Sequence, residues 1–356
     1  MFTRRVLATA ALGAASVLAL AGCAGAAGSA PAGTGGADVV RIVASTNVYG
    51  QIAQEIGGDA VEVTSLVTSG AQDPHSYEAT AQDQLALSRA DLVIENGAGY
   101  DAFVEALLEA AGTSVPTITA VEYSHSFPGN EGHDDDATAS PEPSAGSTET
   151  GSAETGSTET GSAEAEADGH DHAEGDGRDH IEGFNEHVWY DPHTVEHVAE
   201  AIAEELSTIA PEHADDFTAN AAAFVSGIAG LESSLADIAA KDAGAGVFVT
   251  EPVPVYLMDA AELTDVTPPE FSESVEEGQD VPPSTLLESL DLIDGGTVRV
   301  LIANAQTGGG ETTQVIDAAK AKGIPVIEFT ETLPEGQTYL QWMQKNIEDL
   351  AGALGE

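Results

Sequence analysis

The sequence predicts an α/β protein of two lobes, each a mostly parallel sheet flanked by helices, joined by one long connecting helix. Two observations predict it. Short β-rich apolar runs alternate with stretches of helical spacing in both halves of the chain, and between the halves the helical spacing continues from residue 212 to about 240. The length agrees, because 356 residues correspond to about two domains of about 150 residues. A hydrophobic content of 42% is enough to build two cores.

The elements follow in order. Residues 39–44 form a strand-like run, 48–56 have helical spacing and 61–67 again read as strand. Residues 80–89 read as helix, 92–95 as strand, 100–111 as amphipathic helix and 115–120 as strand. Helical spacing over 194–209 ends at Pro211, where the long stretch begins. The alternation resumes with strand at 247–250, helices at 253–262 and 284–293, strand at 298–303, helix at 312–322, strand at 326–329 and helix at 338–353. The chain therefore divides into a first lobe over 38–209, a connecting helix over 210–240 and a second lobe over 241–356.

Charge narrows the function. Asp and Glu number 61 against 10 Lys and Arg, a formal charge of −51, which opposes nucleic acid and anionic lipid heads and favours cations. The single cysteine, Cys23, excludes an internal disulfide and a cysteine-based metal cage. Any metal site must use histidine and carboxylates.

Two segments stand apart from the lobes. Arg4 and Arg5 precede an apolar run over 6–20, so residues 1–22 read as a secretion signal. The run ends in Leu20-Ala21-Gly22-Cys23, which resembles a bacterial lipobox and implies cleavage before Cys23 and a lipid on its thiol. Ordinary signal cleavage, with Cys23 incidental, is the plainer alternative. Residues 23–37 then form a flexible tether between membrane and body, outside the cytoplasm. The second segment, 128–186, holds the repeat GSTET-GSAET-GSTET-GSAEA over 146–165 and has almost no large apolar residues, so it is expected not to fold. His133 before the repeat and His170, His172 and His180 after it sit among acids. They suit weak, rapidly exchanging ion capture, unless the segment is a solubilising insertion in which they are incidental.

In open α/β sheets ligands bind in the loops beyond the carboxyl ends of strands. His75 follows the strand ending near residue 67, Glu251 follows 247–250, Glu331 follows 326–329, and His187 lies where the insertion rejoins the fold. Each is weak alone, since a lone Glu after a strand more often caps the next helix. Together, two imidazoles and two carboxylates make an N/O set suited to Zn²⁺, Mn²⁺ or Fe²⁺. His193 and His197, four apart at a helix start with Glu196 between them, suggest either a surface site or, preferably, a solvated helix face; His193 also stands in reserve for His187.

Four stretches carry a resemblance. They are Asp73-Pro74-His75-Ser76-Tyr77-Glu78, Ala90-Asp91-Leu92-Val93-Ile94-Glu95-Asn96-Gly97-Ala98-Gly99, His187-Val188-Trp189-Tyr190-Asp191-Pro192, and Thr338-Tyr339-Leu340-Gln341-Trp342-Met343-Gln344-Lys345-Asn346. On them the chain, from Val39 to its end but without the insertion, resembles the substrate-binding lipoproteins of bacterial ABC importers for zinc and manganese. The resemblance implies two lobes bridged by a helix and clasping one ion for an ABC permease, in a monomer lipid-anchored to the membrane, with no catalysis and no nucleic-acid partner. By position, His75, His187, Glu251 and Glu331 are the implied ligands. Zinc members usually carry His at the Glu251 position while manganese members look more like this chain, and the last ligand is usually Asp. The insertion points to zinc and Glu251 to manganese or iron, so the implied cargo is Zn²⁺ or Mn²⁺, with zinc favoured. Two other classes are a zinc-dependent metallohydrolase, although no H-E-x-x-H helix is present, and a surface adhesin or metal-buffering lipoprotein working through its insertion.

Overall fold

The computed structural model describes residues 39–112, 114–130, 181 and 183–355. The signal segment 1–22, Cys23, the tether 23–37 and His133, His170, His172 and His180 lie outside the described residues.

The first half folds as β1 (Val40–Thr46), α1 (Asn47–Gly57), β2 (Val61–Val67), α2 (Ala81–Leu87), β3 (Leu92–Glu95), α3 (Phe103–Ala111) and β4 (Thr117–Thr119). Helices α4 (Pro192–Ile209) and α5 (Ala214–Asp242) follow. The second half contributes β5 (Gly246–Val249), α6 (Val255–Ala260), β6 (Thr264–Asp265), α7 (Pro269–Glu276), α8 (Pro283–Gly295), β7 (Val298–Asn304), α9 (Gly310–Lys322), β8 (Val326–Phe329) and α10 (Tyr339–Leu354). Each half forms one four-stranded parallel sheet, in the orders β2-β1-β3-β4 and β6-β5-β7-β8. In both, the chain reverses its lateral direction at the first strand of its sheet, which opens a crevice beyond the carboxyl ends of β1 and β3 in one and of β5 and β7 in the other.

Helices on both faces explain why the central strands are continuous apolar runs rather than alternating ones. All four residues of β3 and of β5 are buried. Local chemistry sets the helix starts. Thr80 and Asp83 form a capping box on α2, Thr338 and Gln341 one on α10, and Asp191 caps α4 with Pro192 in its first turn.

The long helix α5 buries Phe217, Ala221, Phe224, Ile228, Leu231, Leu235 and Ile238. These positions advance by alternate steps of four and three, which keeps one stripe facing inward. The stripe packs on α1 and α4 of the first lobe and on α6 and α10 of the second. A single hydrophobic cluster runs from Ile42 and Ile52 through Phe224 to Ile302 and Trp342, so the lobes share a core along this helix. Hydrogen bonds add to it: Tyr190 Oη donates to the Thr330 carbonyl at 2.7 Å, Tyr339 Oη to the Trp189 carbonyl at 2.8 Å, and Asn47 both donates to and accepts from the Leu333 backbone.

Beyond β3 the backbone takes positive φ at three successive residues, Gly97, Ala98 and Gly99. A Cβ on Gly97 would stand 2.5 Å from Thr119 Cγ2, so glycine is required there by both torsion and space. The buried Asp101 carboxylate accepts from the backbone N–H groups of Asn96 and Gly97 at 2.6 and 2.9 Å. The turn delivers Tyr100, fully buried, to the region between the lobes.

Two features depart from the sequence reading. The first is β6 and α7, which had no assignment: β6 has two residues, and α7 is a helix of eight in an acidic stretch that opens on two prolines. The second concerns the ends of the 128–186 insertion, which are part of the fold. Asn130 Nδ2 donates to the carbonyls of Glu122 and Ser124, Phe184 packs edge-on against Phe127 at 5.5 Å, and Glu186 is buried. A few anchoring residues among many acids are enough to order these ends while averaged composition still reads as unfolded.

Glu95 closes β3 with its carboxyl buried, accepting from Thr119 Oγ1 at 2.9 Å. Burial and then the neighbouring Asp101 push it up to about 7 from an ordinary 4.5, and the Thr119 bond offsets only part of this. The folded state therefore holds the proton more tightly. The stabilisation this brings is complete below the unfolded value near 4.5 and is lost as pH rises through about 7. Glu95→Gln is expected to leave thermal stability unchanged at acid pH and to raise it by about 2–3 kcal/mol at pH 8, measured by thermal unfolding across that range.

Candidate metal centre

His75 sits in a 3-10 turn, Pro74–Ser76, beyond β2. Asp73 caps the turn, accepting the His75 backbone N–H at 2.9 Å and the Ser76 hydroxyl at 2.7 Å. The imidazole stands edge-on to Tyr100, with centroids 4.8 Å apart. His187 opens the turn Val188–Tyr190 that leads into α4 and is 1% exposed. Asn185 Oδ1 lies 2.7 Å from His187 Nδ1, while Asn185 Nδ2 donates to the Pro252 carbonyl at 2.9 Å. The Pro252 bond fixes which way the amide points. The amide oxygen in turn holds the proton on His187 Nδ1 and leaves Nε2 as a lone-pair donor.

The ring centroids of His75 and His187 are 6.3 Å apart. Glu276, the last residue of α7, completes a group: one potential ligand atom from each of His75, His187 and Glu276 lies within 4.8 Å of the others. His187 Nε2 is 3.7 Å from Glu276 Oε1. Glu251 and Glu331 stand outside that triad as a second group. Asn304, closing β7, donates from its one amide nitrogen to Glu251 Oε2 and to Glu331 Oε1, both at 2.6 Å. The Thr307 hydroxyl donates to the other oxygen of Glu251, and Tyr100 Oη to the other oxygen of Glu331 at 3.3 Å. Tyr100 also meets both imidazoles, so its ring joins the two groups.

The electrostatics are one-sided. Burial is the main cause that raises Glu251, Glu276 and Glu331, and Glu331 is pushed up to about 7. Asn304 and Thr307 offset part of this for Glu251, and Asn304 and Tyr100 part of it for Glu331. The neighbouring charges acting on them, Asp73, Glu186 and Glu277 as well as one another, are acids and push in the same direction. Glu276 is driven furthest above the ordinary range, by burial and then by Glu186, Glu251, Glu331 and Glu277. Its place at a helix carboxyl end, where the backbone dipole is negative, adds to the cost of its charge. Beside this group a cavity of about 420 Å³ is lined by Asp73, His75, Glu276, Asp280, Gln306 and the loop Gly308–Gly310, an acidic approach suited to cations.

The structure thus brings His75 and His187 together, and Glu251 with Glu331. It adds Glu276, which sequence reasoning missed because α7 had no assignment. Asn304 was legible: the strand-end rule that selected Glu251 and Glu331 applies equally to the residue closing β7. His193, held in reserve for His187, pairs with His197 on α4, 3.2 Å between their Nε2 atoms.

Known proteins resemble the chain in sequence over part of its length and in fold over most of it. The manganese ABC transporter substrate-binding lipoprotein PsaA of Streptococcus anginosus is 34% identical over 100 residues, 27% of this chain and 31% of that one. The manganese-binding lipoprotein MntA of Bacillus subtilis is 31% identical over 120 residues, 33% of this chain and 38% of that one. The chain thus spans about a third of the length of these relatives. The fold matches the periplasmic zinc binding protein TroA of Treponema pallidum with a TM-score of 0.63 at 17% identity, covering 89% of this chain and 100% of that one. Residues 42–353 match the model of the family described as the periplasmic component A of the zinc-uptake complex, and the chain belongs to that family.

Proposed function

We propose that this protein captures one divalent transition-metal ion between its lobes, outside the cytoplasm, and delivers it to the permease of an ABC importer. The observation that carries this reading is the close meeting of His75, His187 and Glu276 beside the Asn304-bridged pair Glu251 and Glu331, with acids supplying the surrounding charge. His75, His187, Glu251 and Glu331 act as ligands in this reading, and Glu276 supplies a further carboxylate. Two imidazoles select a borderline ion, while several carboxylates soften the preference for Zn²⁺ over Mn²⁺. Zinc is favoured and manganese is a close second. The shared core along α5 limits rigid-body opening, so release works through small movements of the surrounding loops or through the permease. Lipidation at Cys23 would keep the protein at the membrane as a monomer. The family is a transport family, and the reading involves no catalysis. The direct test is metal content by mass spectrometry of protein purified without added metal, followed by competition between Zn²⁺ and Mn²⁺; absence of a tightly bound equivalent of either ion refutes it.

His75→Ala or His187→Ala should lower zinc affinity by at least about a hundredfold, since losing a ligand costs no less than losing the group that orients it. Asn185→Ala, which frees the His187 tautomer, should cost about 10- to 100-fold. Isothermal titration reads both, and unchanged affinity in the two histidine variants rejects the site.

Burial raises Glu276 well above neutral pH and Glu331 to about 7, so an entering cation displaces protons from both. Zinc affinity should therefore rise with pH between about 5.5 and 8, with proton release visible as a dependence of the measured heat on the buffer. Glu276→Gln should release fewer protons and bind about tenfold more weakly. A pH-independent affinity contradicts this.

A further inference from the structure

Away from the cleft, the first turns of α4 carry His193-Thr194-Val195-Glu196-His197. The order His-x-x-Glu-His on a helix is one in which zinc proteins present two imidazoles on one face. Here the presentation is realised. The Nε2 atoms of His193 and His197 are 3.2 Å apart, with the rings nearly perpendicular at 84°. Two Zn–N bonds of about 2.0–2.1 Å at a tetrahedral angle place their nitrogens about 3.3 Å apart. Glu200 Oε2 lies 3.5 Å from His197 Nδ1, which draws the ring proton to that nitrogen and leaves Nε2 as the lone-pair donor. Glu232 reaches across from α5: ligand atoms of His193, Glu196 and Glu232 lie within 4.8 Å of one another. His125 flanks the group, its ring 6.2 Å from that of His193 and its Nδ1 3.9 Å from Asp191 Oδ2.

We propose that His193, Glu196 and His197 of α4, with Glu232 of α5, form a second site for a borderline divalent cation of the zinc type, outside the cleft. The chemistry resembles that of the cleft in miniature. Two imidazoles and two carboxylates give a neutral complex with a divalent ion, and the ion replaces the repulsion between Glu196 and Glu232 with a shared attraction. Partial burial and then Glu196 raise the Glu232 carboxyl, while the facing His193 lowers it. Because the ligands come from two helices, occupancy fastens α4 to α5, the helix on which both lobes pack. The site stabilises the body without touching the captured ion.

The test uses zinc and the full chain. Carrying His75→Ala and His187→Ala silences the cleft; His193→Gln and His197→Gln are then added to remove the proposed site. The expected result is the loss of one zinc equivalent between the two chains, and a zinc-induced rise in thermal midpoint that the second chain lacks. Crystals soaked in zinc should show an anomalous peak about 2.0–2.2 Å from both Nε2 atoms and from a Glu232 carboxylate oxygen. Glu232→Gln should weaken this step about tenfold while leaving the fold, checked by circular dichroism, intact. Equal zinc stoichiometry in the two chains, or no peak between α4 and α5, overturns the proposal. The cleft reading is scored separately, by whether His193→Gln with His197→Gln in an otherwise native chain retains the tight step.

Discussion

Two buried carboxylates, Glu251 and Glu331, share one neutral amide, that of Asn304, and stand beside the buried His187 and the half-buried His75 and Glu276. Asn304 supplies two hydrogen bonds and no charge. A carboxylate stripped of water and given only neutral donors holds on to its proton, and each neighbouring acid tightens that hold. On the proposed reading, a divalent ion would satisfy in full what protons satisfy only in part. Three contacts shape the cleft: Asn185 sets the His187 tautomer, Tyr100 joins the two groups, and α7 ends with Glu276 beside His187.

Such an arrangement survives only on a stiff frame, because mobile side chains would turn outward to water. The frame is supplied twice. The stripe along α5 packs against helices of both lobes, and buried tyrosines donate across from one lobe to backbone carbonyls of the other. Together they fix the distance between the strand ends that carry the site. Outside that frame lies the cavity lined by the end of α7 and by the Gly308–Gly310 loop.

The one-sided charge seen in the cleft also describes the whole chain. A formal charge of −51 gives an entering cation a long-range attraction, but it also means that few basic groups exist to neutralise buried acids locally. Burial at Glu95 has the same consequence as in the cleft: a carboxyl held above its ordinary range with only a threonine hydroxyl to help.

By itself the sequence determined the alternation of strands and helices, the long connector, the exclusion of cysteine ligation and the strand-end residues His75, Glu251 and Glu331. Those properties follow from local periodicity and from composition, which any short window of chain displays. Only the tertiary structure decided that β1 and β5 sit centrally in sheets of the same order, that Asn304 bridges two acids 53 and 27 residues away, and that Glu276 faces His187. It also decided that Asn185 and Glu186 belong to the fold despite their acidic surroundings. Hydrogen bonds and charges act over a few ångströms of space, and residues distant along the chain reach that range only after the lobes have packed on their common helix.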